Sequence, residues 1–250
     1  MSGIDLNADV GEMHPDLDAR IVEVVTSVNI ACGGHAGDEA SMRRVATLAA
    51  KRQVRIGAHP SYVDPDGFGR VRQEIPTHVL TEQIIAQIER LAKVSPEGVD
   101  YVKPHGALYH TAATESAVAE AVVSAVGRAA QRVGSPLALM GQAGALYLAA
   151  AEGAGIPTIL EGFADRAYQA DGRLLPRGEP GAVLTDEQEV VQQVAALARG
   201  EVRTIDGQLI TLRAESVCVH SDTPGSATLA RRIRDHLEAS GIPVRAQPWN

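Results

Sequence analysis

The sequence predicts an α/β protein built around a parallel sheet, and three observations support this. Short runs rich in Val, Ile and Ala alternate with longer segments of helical spacing along the chain. The length of 250 residues suits a barrel of alternating strands and helices. No Gly-x-Gly-x-x-Gly motif follows the first strand, which disfavours a dinucleotide-binding fold. A closed (β/α) barrel and an open doubly wound sheet are both compatible with the alternation.

Seven main strands are expected, each a short apolar run bounded by turn-forming or charged residues. They cover residues 4–7, 27–30, 54–58, 99–103, 136–140, 157–161 and 216–220. Residues 202–212 should form a hairpin that turns at Asp206-Gly207, because Asp-Gly favours two-residue turns. A last short strand is expected over residues 243–245.

The segments between the strands place apolar residues on one face at helical spacing. Helices are expected over residues 18–25, 38–53, 114–133, 143–152, 186–199 and 225–239, and a long one begins at Thr77. Asp38 and Thr77 should cap their helices with side-chain oxygens. Residues 60–70 and 162–181 are rich in Gly and Pro and should be loops. The chain shows no repeat or linker, so we expect one domain over residues 1–250, with a small hairpin insertion near 201–212.

Composition limits the partners and the compartment. The net charge is −8 and no basic run is present, which argues against a nucleic-acid partner, and aromatics make up only 3% of residues. No signal peptide and no stretch long enough to span a bilayer is found, so no membrane association is expected. Cys32 and Cys218 lie far apart in the chain, and we expect a cytoplasmic protein with reduced thiols.

Titratable residues follow most of the predicted strands. In a parallel barrel the carboxyl ends of the strands meet at one face, where the following loops build the site. The residues at these ends are Asp9, Glu12, His35, His59, Asp64, Arg70, Lys103, His105, Glu161, Asp165, Arg166, His220 and Asp222. Each alone could be a helix cap, a turn residue or a member of a structural ion pair. Their shared position at one edge favours a common site.

The motifs around these residues resemble those of the LamB/YcsF family. The matching stretches are residues 5–12, 29–38, 59–60, 67–70, 103–109, 161–168, 175–177 and 218–220, in order across nearly the whole chain. The resemblance implies an irregular seven-stranded (β/α) barrel similar to that of polysaccharide deacetylases. It also implies the A subunit of an ATP-dependent 5-oxoprolinase, which acts with B and C subunits. Such a complex cleaves 5-oxo-L-proline to L-glutamate and hydrolyses ATP to ADP and phosphate.

Opening a lactam in this way needs a base, an acid and cations for anionic groups. We expect catalytic roles for Asp9, His35, His59, His105 and Lys103. Roles in substrate binding or orientation are expected for Glu12, Asp64, Arg70, Glu161, Asp165, Arg166, His220 and Asp222. The chain has no Gly-x-x-x-x-Gly-Lys-Ser/Thr loop, so ATP would bind here without a P-loop or mainly on the partner subunits.

Two alternatives to this function remain. The first is a metal-dependent hydrolase of the deacetylase type, in which Asp9, His35 and His59 hold a divalent metal that activates water. The second is a non-catalytic subunit that binds a small ligand within a larger assembly. The second alternative does not require so many titratable groups at one edge.

Overall fold

The computed structural model describes residues 3–12, 14–219 and 225–246 of the chain. The strands are β1 (Asp5–Val10), β2 (Ser27–Ala31), β3 (Arg55–His59), β4 (Tyr101–Val102), β5 (Ala138–Gln142), β6 (Thr158–Phe163), β7 (Glu201–Arg203), β8 (Leu209–Thr211) and β9 (Ser216–Cys218). The helices are α1 (Pro15–Val22), α2 (Glu39–Lys51), α3 (Thr77–Val94), α4 (Gly106–Thr114), α5 (Ser116–Val133), α6 (Leu146–Gly153), α7 (Glu187–Leu197) and α8 (Ser226–Ala239).

A closed parallel barrel forms from β1 to β6 and β9, in that order. The barrel closes because β9 pairs in parallel with both β1 and β6. This closure confirms the barrel and excludes the open doubly wound sheet. The two remaining strands, β7 and β8, form a separate antiparallel hairpin across Asp206-Gly207, where the sequence predicts one. The segment expected as a last strand contributes one parallel bridge, between Ile4 and Val244.

Several helix boundaries differ from the predicted ones for local reasons. Helix α1 begins earlier, at Pro15, because proline suits the first turn of a helix. Thr77, predicted to cap α3, is instead its first residue, and Pro76 precedes it without a side-chain cap. Residues 106–114, for which the sequence predicts no element, form α4, and Glu115 separates α4 from α5 in an extended conformation. The capping role of Asp38 is confirmed, since its side chain accepts from the amide of Ser41.

Much of the barrel interior is polar, in contrast to the apolar layer between strands and helices, and a small separate apolar cluster consists of Tyr101, Ala138, Met140 and Ile159. Along β1, Leu6, Ala8 and Val10 join the main apolar core, as expected for alternation along a strand. The residues between them, Asp5, Asn7 and Asp9, bond to polar groups on other barrel strands. The interior therefore carries a column of polar side chains that ends at the carboxyl edge of the sheet.

Tyr101 crosses the barrel interior below this edge. Its hydroxyl donates to the carbonyl of Val28 and to the Asn29 amide oxygen at 3.0 and 2.8 Å. Gly57 on the neighbouring strand makes room for the ring, since a Cβ there would lie 2.3 Å from it. The fully buried ring therefore closes the space beneath the polar residues. No helix within the described ranges has the length and apolar character that a membrane span requires.

Candidate active site

Three imidazole rings lie together at the carboxyl edge of the barrel. His35 follows β2, His59 ends β3, and His105 immediately precedes α4. The rings of His35 and His105 stack with centroids 3.7 Å apart, and the ring of His59 meets that of His105 edge-on at 4.8 Å. All three side chains are buried.

The loop over residues 60–70 shapes the outer side of this cluster. Phe68 has a left-handed backbone, with φ of 53°, and its carbonyl oxygen lies 3.0 Å from His105 Nε2. Gly69 is also left-handed, and a Cβ there would lie 2.9 Å from the Cβ of His35 and 3.0 Å from a ring carbon of His105. The backbone of this loop therefore packs directly against two of the rings, and glycine permits the approach.

Hydrogen bonds to backbone carbonyls determine which ring nitrogen of His59 and of His105 donates a proton. His59 Nδ1 lies 2.7 Å from the carbonyl oxygen of Lys103, and a carbonyl can only accept. His59 therefore donates from Nδ1, and His105 donates from Nε2 to the Phe68 carbonyl. The remaining ring nitrogens, His59 Nε2 and His105 Nδ1, face each other at 3.0 Å.

Glu12 lies beside the stacked pair of rings. Its Oε1 accepts from His35 Nε2 at 3.2 Å and is 3.8 Å from His105 Nδ1. His35 Nδ1 is buried and finds no partner among the described residues. Burial lowers the pKa of His35 to about 3, and burial likewise holds the pKa of His105 well below its usual value. Both rings are therefore neutral near pH 7.

A buried ion-pair group forms the floor of the site. Lys103 Nζ lies 2.7 Å from Glu161 Oε1 and 3.1 Å from Asp9 Oδ1, and it also donates to the Cys218 thiol at 3.1 Å. Burial alone would lower the pKa of Lys103, but the negative charge of Asp9 and Glu161 raises it well above its usual value. Burial also raises the pKa of the Cys218 thiol, so this sulfur stays protonated.

Neutral side chains hold the two carboxylates in place. Asn29 Nδ2 donates to Asp9 Oδ1 at 2.8 Å and to the Asn7 amide oxygen at 2.7 Å. Asn7 in turn donates to Glu161 Oε1 at 3.1 Å, while the hydroxyl of Tyr109 donates to Glu161 Oε2 at 3.0 Å. Asp9 and Glu161 are therefore both oriented by donors other than Lys103.

A cavity of about 460 Å³ opens above this floor. This volume lies within the usual range for a small-molecule site. The cavity is lined by charged residues from several loops and, on one wall, by apolar side chains. The charged residues are Asp9, Glu12, Arg70, Lys103, Arg166 and Arg177, and the apolar wall consists of Phe163, Leu174, Leu175 and Pro176. Four cationic groups thus face two carboxylates, which favours an anionic ligand.

Arg166 is a buried cation fixed by neutral groups. Its guanidinium donates to the carbonyl oxygens of Ala182 and Leu175, at 3.2 and 2.6 Å. Burial and the nearby charge of Arg177 lower the pKa of Arg166, but a guanidinium remains charged at neutral pH. The two carbonyl oxygens orient the guanidinium without neutralising it, so its positive charge can attract an anionic ligand in the cavity.

Most of the predicted site residues meet around this cavity. The residues that line it are Asp9, Glu12, His59, Arg70, Lys103, His105 and Arg166. His35 and Glu161 lie behind the lining and bond to it. Asp64 does not line the cavity, because its Oδ1 accepts from the Gly67 amide in a turn of the loop. Asp165 does not line the cavity either, and its backbone carbonyl accepts a hydrogen bond from the amide of Leu184. His220 and Asp222 lie outside the described residues.

Several residues of the site were not predicted from the sequence. Arg177 lines the cavity, and its position inside the 175–177 motif could have indicated a site role. Asn7 and Asn29 lie at alternating strand positions, which could have indicated a polar barrel interior. The Phe68 carbonyl is a backbone group, and no side-chain pattern indicates its role.

Comparison with known proteins agrees with this architecture. A protein from Streptomyces avermitilis named as the A subunit of 5-oxoprolinase is 49% identical over 251 residues, covering 97% of this chain and 99% of that protein. The crystal structure of a lactam utilization protein from Thermus thermophilus superposes with a TM-score of 0.87 at 34% identity, covering 99% of this chain and 100% of that one. A family 4 carbohydrate esterase from Streptomyces lividans shares the fold at 10% identity, with a TM-score of 0.50 and coverage of 97% and 91%.

The fold and the site together define a (β/α)-barrel protein with an enzyme-type site at the carboxyl ends of its strands. The model of the LamB/YcsF family matches residues 4–249. The chain belongs to the LamB/YcsF family. The similarity to the carbohydrate esterase supports the deacetylase-like character of the barrel and concerns the fold alone.

Proposed function

We propose that this chain is the A subunit of an ATP-dependent 5-oxoprolinase and supplies the site in which the lactam ring is opened. One observation carries the proposal: the fixed Arg166 guanidinium and the group of buried carboxylates and imidazoles border the same cavity. Relatives named as the A subunit of 5-oxoprolinase and as a lactam utilization protein support the choice of a lactam.

Arg166 and Arg177 would bind the carboxylate of 5-oxo-L-proline. Two carbonyl oxygens hold the Arg166 guanidinium in one orientation, and a preorganised guanidinium recognises a planar carboxylate well. The apolar wall of Leu174 and Leu175 suits the methylene groups of the ring. The lactam group would then point towards Glu12 and the imidazoles.

A lactam is a weak electrophile, so coupling to ATP requires an activated intermediate. The lactam oxygen attacks the γ-phosphorus of ATP, the bond to ADP breaks, and the ring carbon becomes open to attack. A water adds to this carbon as Glu12 takes its proton, and Glu12 returns the proton to the ring nitrogen as the C–N bond breaks. A second water hydrolyses the resulting γ-glutamyl phosphate to glutamate and inorganic phosphate.

The floor group would stabilise charge during these steps. Lys103 keeps its proton, so it offers a fixed positive charge beneath the reacting carbon. Glu12 lines the cavity and its side chain is partly exposed, so it can exchange a proton with water. We further propose that ATP reaches this site in the assembled complex with B and C subunits.

The test is co-expression of the chain with the B and C subunits of its own source organism. We expect the purified complex to release ADP, phosphate and glutamate only when 5-oxo-L-proline is present, and the isolated chain to show little turnover. A complex that assembles but shows no 5-oxoproline-dependent ATP hydrolysis would refute the proposal.

A matched pair of variants tests the binding role of Arg166. Arg166→Gln should raise the KM for 5-oxo-L-proline by roughly 10- to 100-fold, as expected for loss of a charged hydrogen bond. The control is Arg173→Gln, which removes an exposed arginine of the same loop that pairs with Asp171. Equal KM values in the two variants would remove Arg166 from the binding site.

A further inference from the structure

The side chain of Gln193 joins helix α7 to the loop that carries Arg166. Its Nε2 donates to the carbonyl oxygens of Phe163 and Ala164, both at 3.0 Å, and to that of Arg166 at 2.9 Å. A primary amide has two N–H groups, so three carbonyls share two donors. Among the described residues, no other group donates to the carbonyls of Ala164 and Arg166. Gln193 therefore binds the backbone where β6 ends and the loop begins.

Close packing of α7 against β6 brings the Gln193 amide within reach of these carbonyls. Leu197 follows Gln193 by one helical turn and lies on the same side of α7. A Cβ at Gly162, in β6, would lie 3.1 Å from the Leu197 side chain, so glycine permits the approach. A partly buried amide is costly unless it is hydrogen-bonded, and the three carbonyls supply its acceptors.

Arg166 is consequently fixed at both of its ends. Its guanidinium donates to the carbonyls of Ala182 and Leu175, while its own carbonyl accepts from Gln193. The ring of Phe163, the first residue bound by Gln193, also lines the cavity. Two cavity-lining side chains therefore extend from backbone that Gln193 binds.

We propose that Gln193 is a positioning residue for substrate binding, because it fixes the backbone from Phe163 to Arg166 and so directs the Arg166 guanidinium at the ligand. This role rests on the proposed function, in which Arg166 binds the carboxylate of 5-oxo-L-proline. Gln193 does not line that cavity, and it borders a separate cavity of about 520 Å³ between α7 and the β7–β8 hairpin. Its effect on the ligand must therefore pass through the residues it binds.

A matched pair of variants separates this role from a general contribution to stability. Gln193→Met keeps the length of the side chain and removes the donor, whereas Gln192→Met changes its exposed neighbour on the same helix. In the assembled complex, Gln193→Met should raise the KM for 5-oxo-L-proline by roughly 5- to 20-fold and leave kcat within about twofold, since weaker ground-state binding appears in KM. The KM for ATP, and both KM values of Gln192→Met, should stay unchanged. An unchanged KM for 5-oxo-L-proline in Gln193→Met would overturn the proposal.

A double variant tests whether the effect passes through Arg166. Effects of residues that act through one contact are not additive. Gln193→Met should therefore raise the KM for 5-oxo-L-proline no further once Arg166→Gln is present. Multiplied KM effects in the double variant would show that Gln193 acts by another route, and would overturn the proposal as well.

Hydrogen exchange of the isolated chain supplies a test that needs no substrate. The amides of Ala167 and Leu184 donate within the loop, to the carbonyls of Ala182 and Asp165. These amides should exchange faster in Gln193→Met than in the wild type or in Gln192→Met, while β2 remains protected and shows that the barrel is folded. Unchanged exchange would overturn the proposal. Wild-type complex without 5-oxoproline-dependent turnover would instead refute the proposed function, and the exchange rates would then decide the role of Gln193 alone.

Discussion

The imidazole rings of His35 and His105 lie parallel, with 6° between their planes and 3.7 Å between their centroids. The stack places His35 Nε2 against Glu12 and keeps His105 beneath the loop that contains Phe68. His35 thus acts on the site through Glu12 and His105, and it does not line the cavity itself. We therefore propose a positioning role for His35.

His35→Phe separates the packing role of this ring from its hydrogen bond. Phenylalanine keeps an aromatic ring on His105 but removes the donor to Glu12, so the variant should fold with a Tm close to that of the wild type. Turnover by the assembled complex should fall by roughly 10- to 100-fold, mainly in kcat, because Glu12 loses its orientation. His78→Phe serves as the exposed control, and an unchanged kcat in His35→Phe would contradict the positioning role.

Removal of Lys103 should be costly for stability. Lys103→Met leaves Asp9 and Glu161 buried without their shared cation, and breaking a buried pair in this way costs roughly 3–5 kcal/mol. Denaturant unfolding of the isolated chain measures the change in the free energy of unfolding. Adding Glu161→Gln to Lys103→Met should restore part of the loss, since one unpaired charge disappears. Additive losses in the double variant would show that the two side chains do not interact.

Gly69 tests how closely the 60–70 loop must approach the rings. Both Gly69 and Gly98 have a positive φ, so alanine at either position costs about 1 kcal/mol of backbone strain. Only at Gly69 would the new Cβ also contact His35 and His105, whereas the space around Gly98 is open. Gly69→Ala should therefore lower the Tm and abolish most turnover, while Gly98→Ala lowers the Tm alone. Full activity in Gly69→Ala would mean that the loop can move away from the rings without consequence.

Asp5, at the base of the barrel interior, should make the free energy of unfolding depend on pH. Burial raises its pKa, although the hydroxyls of Ser216, Ser27 and Thr26 act against this. The folded state thus holds the proton more tightly than the unfolded chain. Asp5 therefore contributes its full stabilisation below about pH 4, which is its pKa in the unfolded chain. This stabilisation is lost as the pH rises through the pKa of Asp5 in the folded state.

Asp5→Asn imitates the protonated side chain and isolates this effect. The stability of the wild type relative to the variant should decrease as the pH rises above about 4, and then level off. Chemical denaturation at a series of pH values measures the difference. Asp235→Asn, on the exposed face of α8, should show no such trend. A difference that stays constant from about pH 3 to about pH 8 would contradict the raised pKa of Asp5.

Sequence patterns predicted the barrel well because its strands and helices differ clearly in period. They also predicted correctly that four residues lie at one edge of the sheet, since parallel strands end on the same side. These residues are Asp9, His59, Lys103 and His105. The patterns failed where local chemistry was ambiguous. Helix α4 begins at a left-handed glycine, Gly106, and such a glycine is typical of a loop.

Other features of the site depend on three-dimensional contacts that a linear pattern does not contain. The acidic side chain of Asp64 was predicted to be a site residue, but it closes a turn with Gly67. The facing nitrogens of His59 and His105 arise from two backbone carbonyls, and such groups leave no trace in residue type. Arg177 reaches the cavity through the path of a long loop rather than through a strand end.

Because of the polar column inside the barrel, the residues that shape the candidate site are also residues that stabilise the fold. Asn7, Asn29 and Glu161 orient Lys103 and Asp9 and also fill the centre of the protein. Attempts to broaden the range of accepted ligands should therefore start at the wall formed by Leu174 and its neighbours, where exchange of side chains leaves the centre intact. Substitutions at the base of the barrel interior would alter the stability of the fold, which would mask any effect on ligand selectivity.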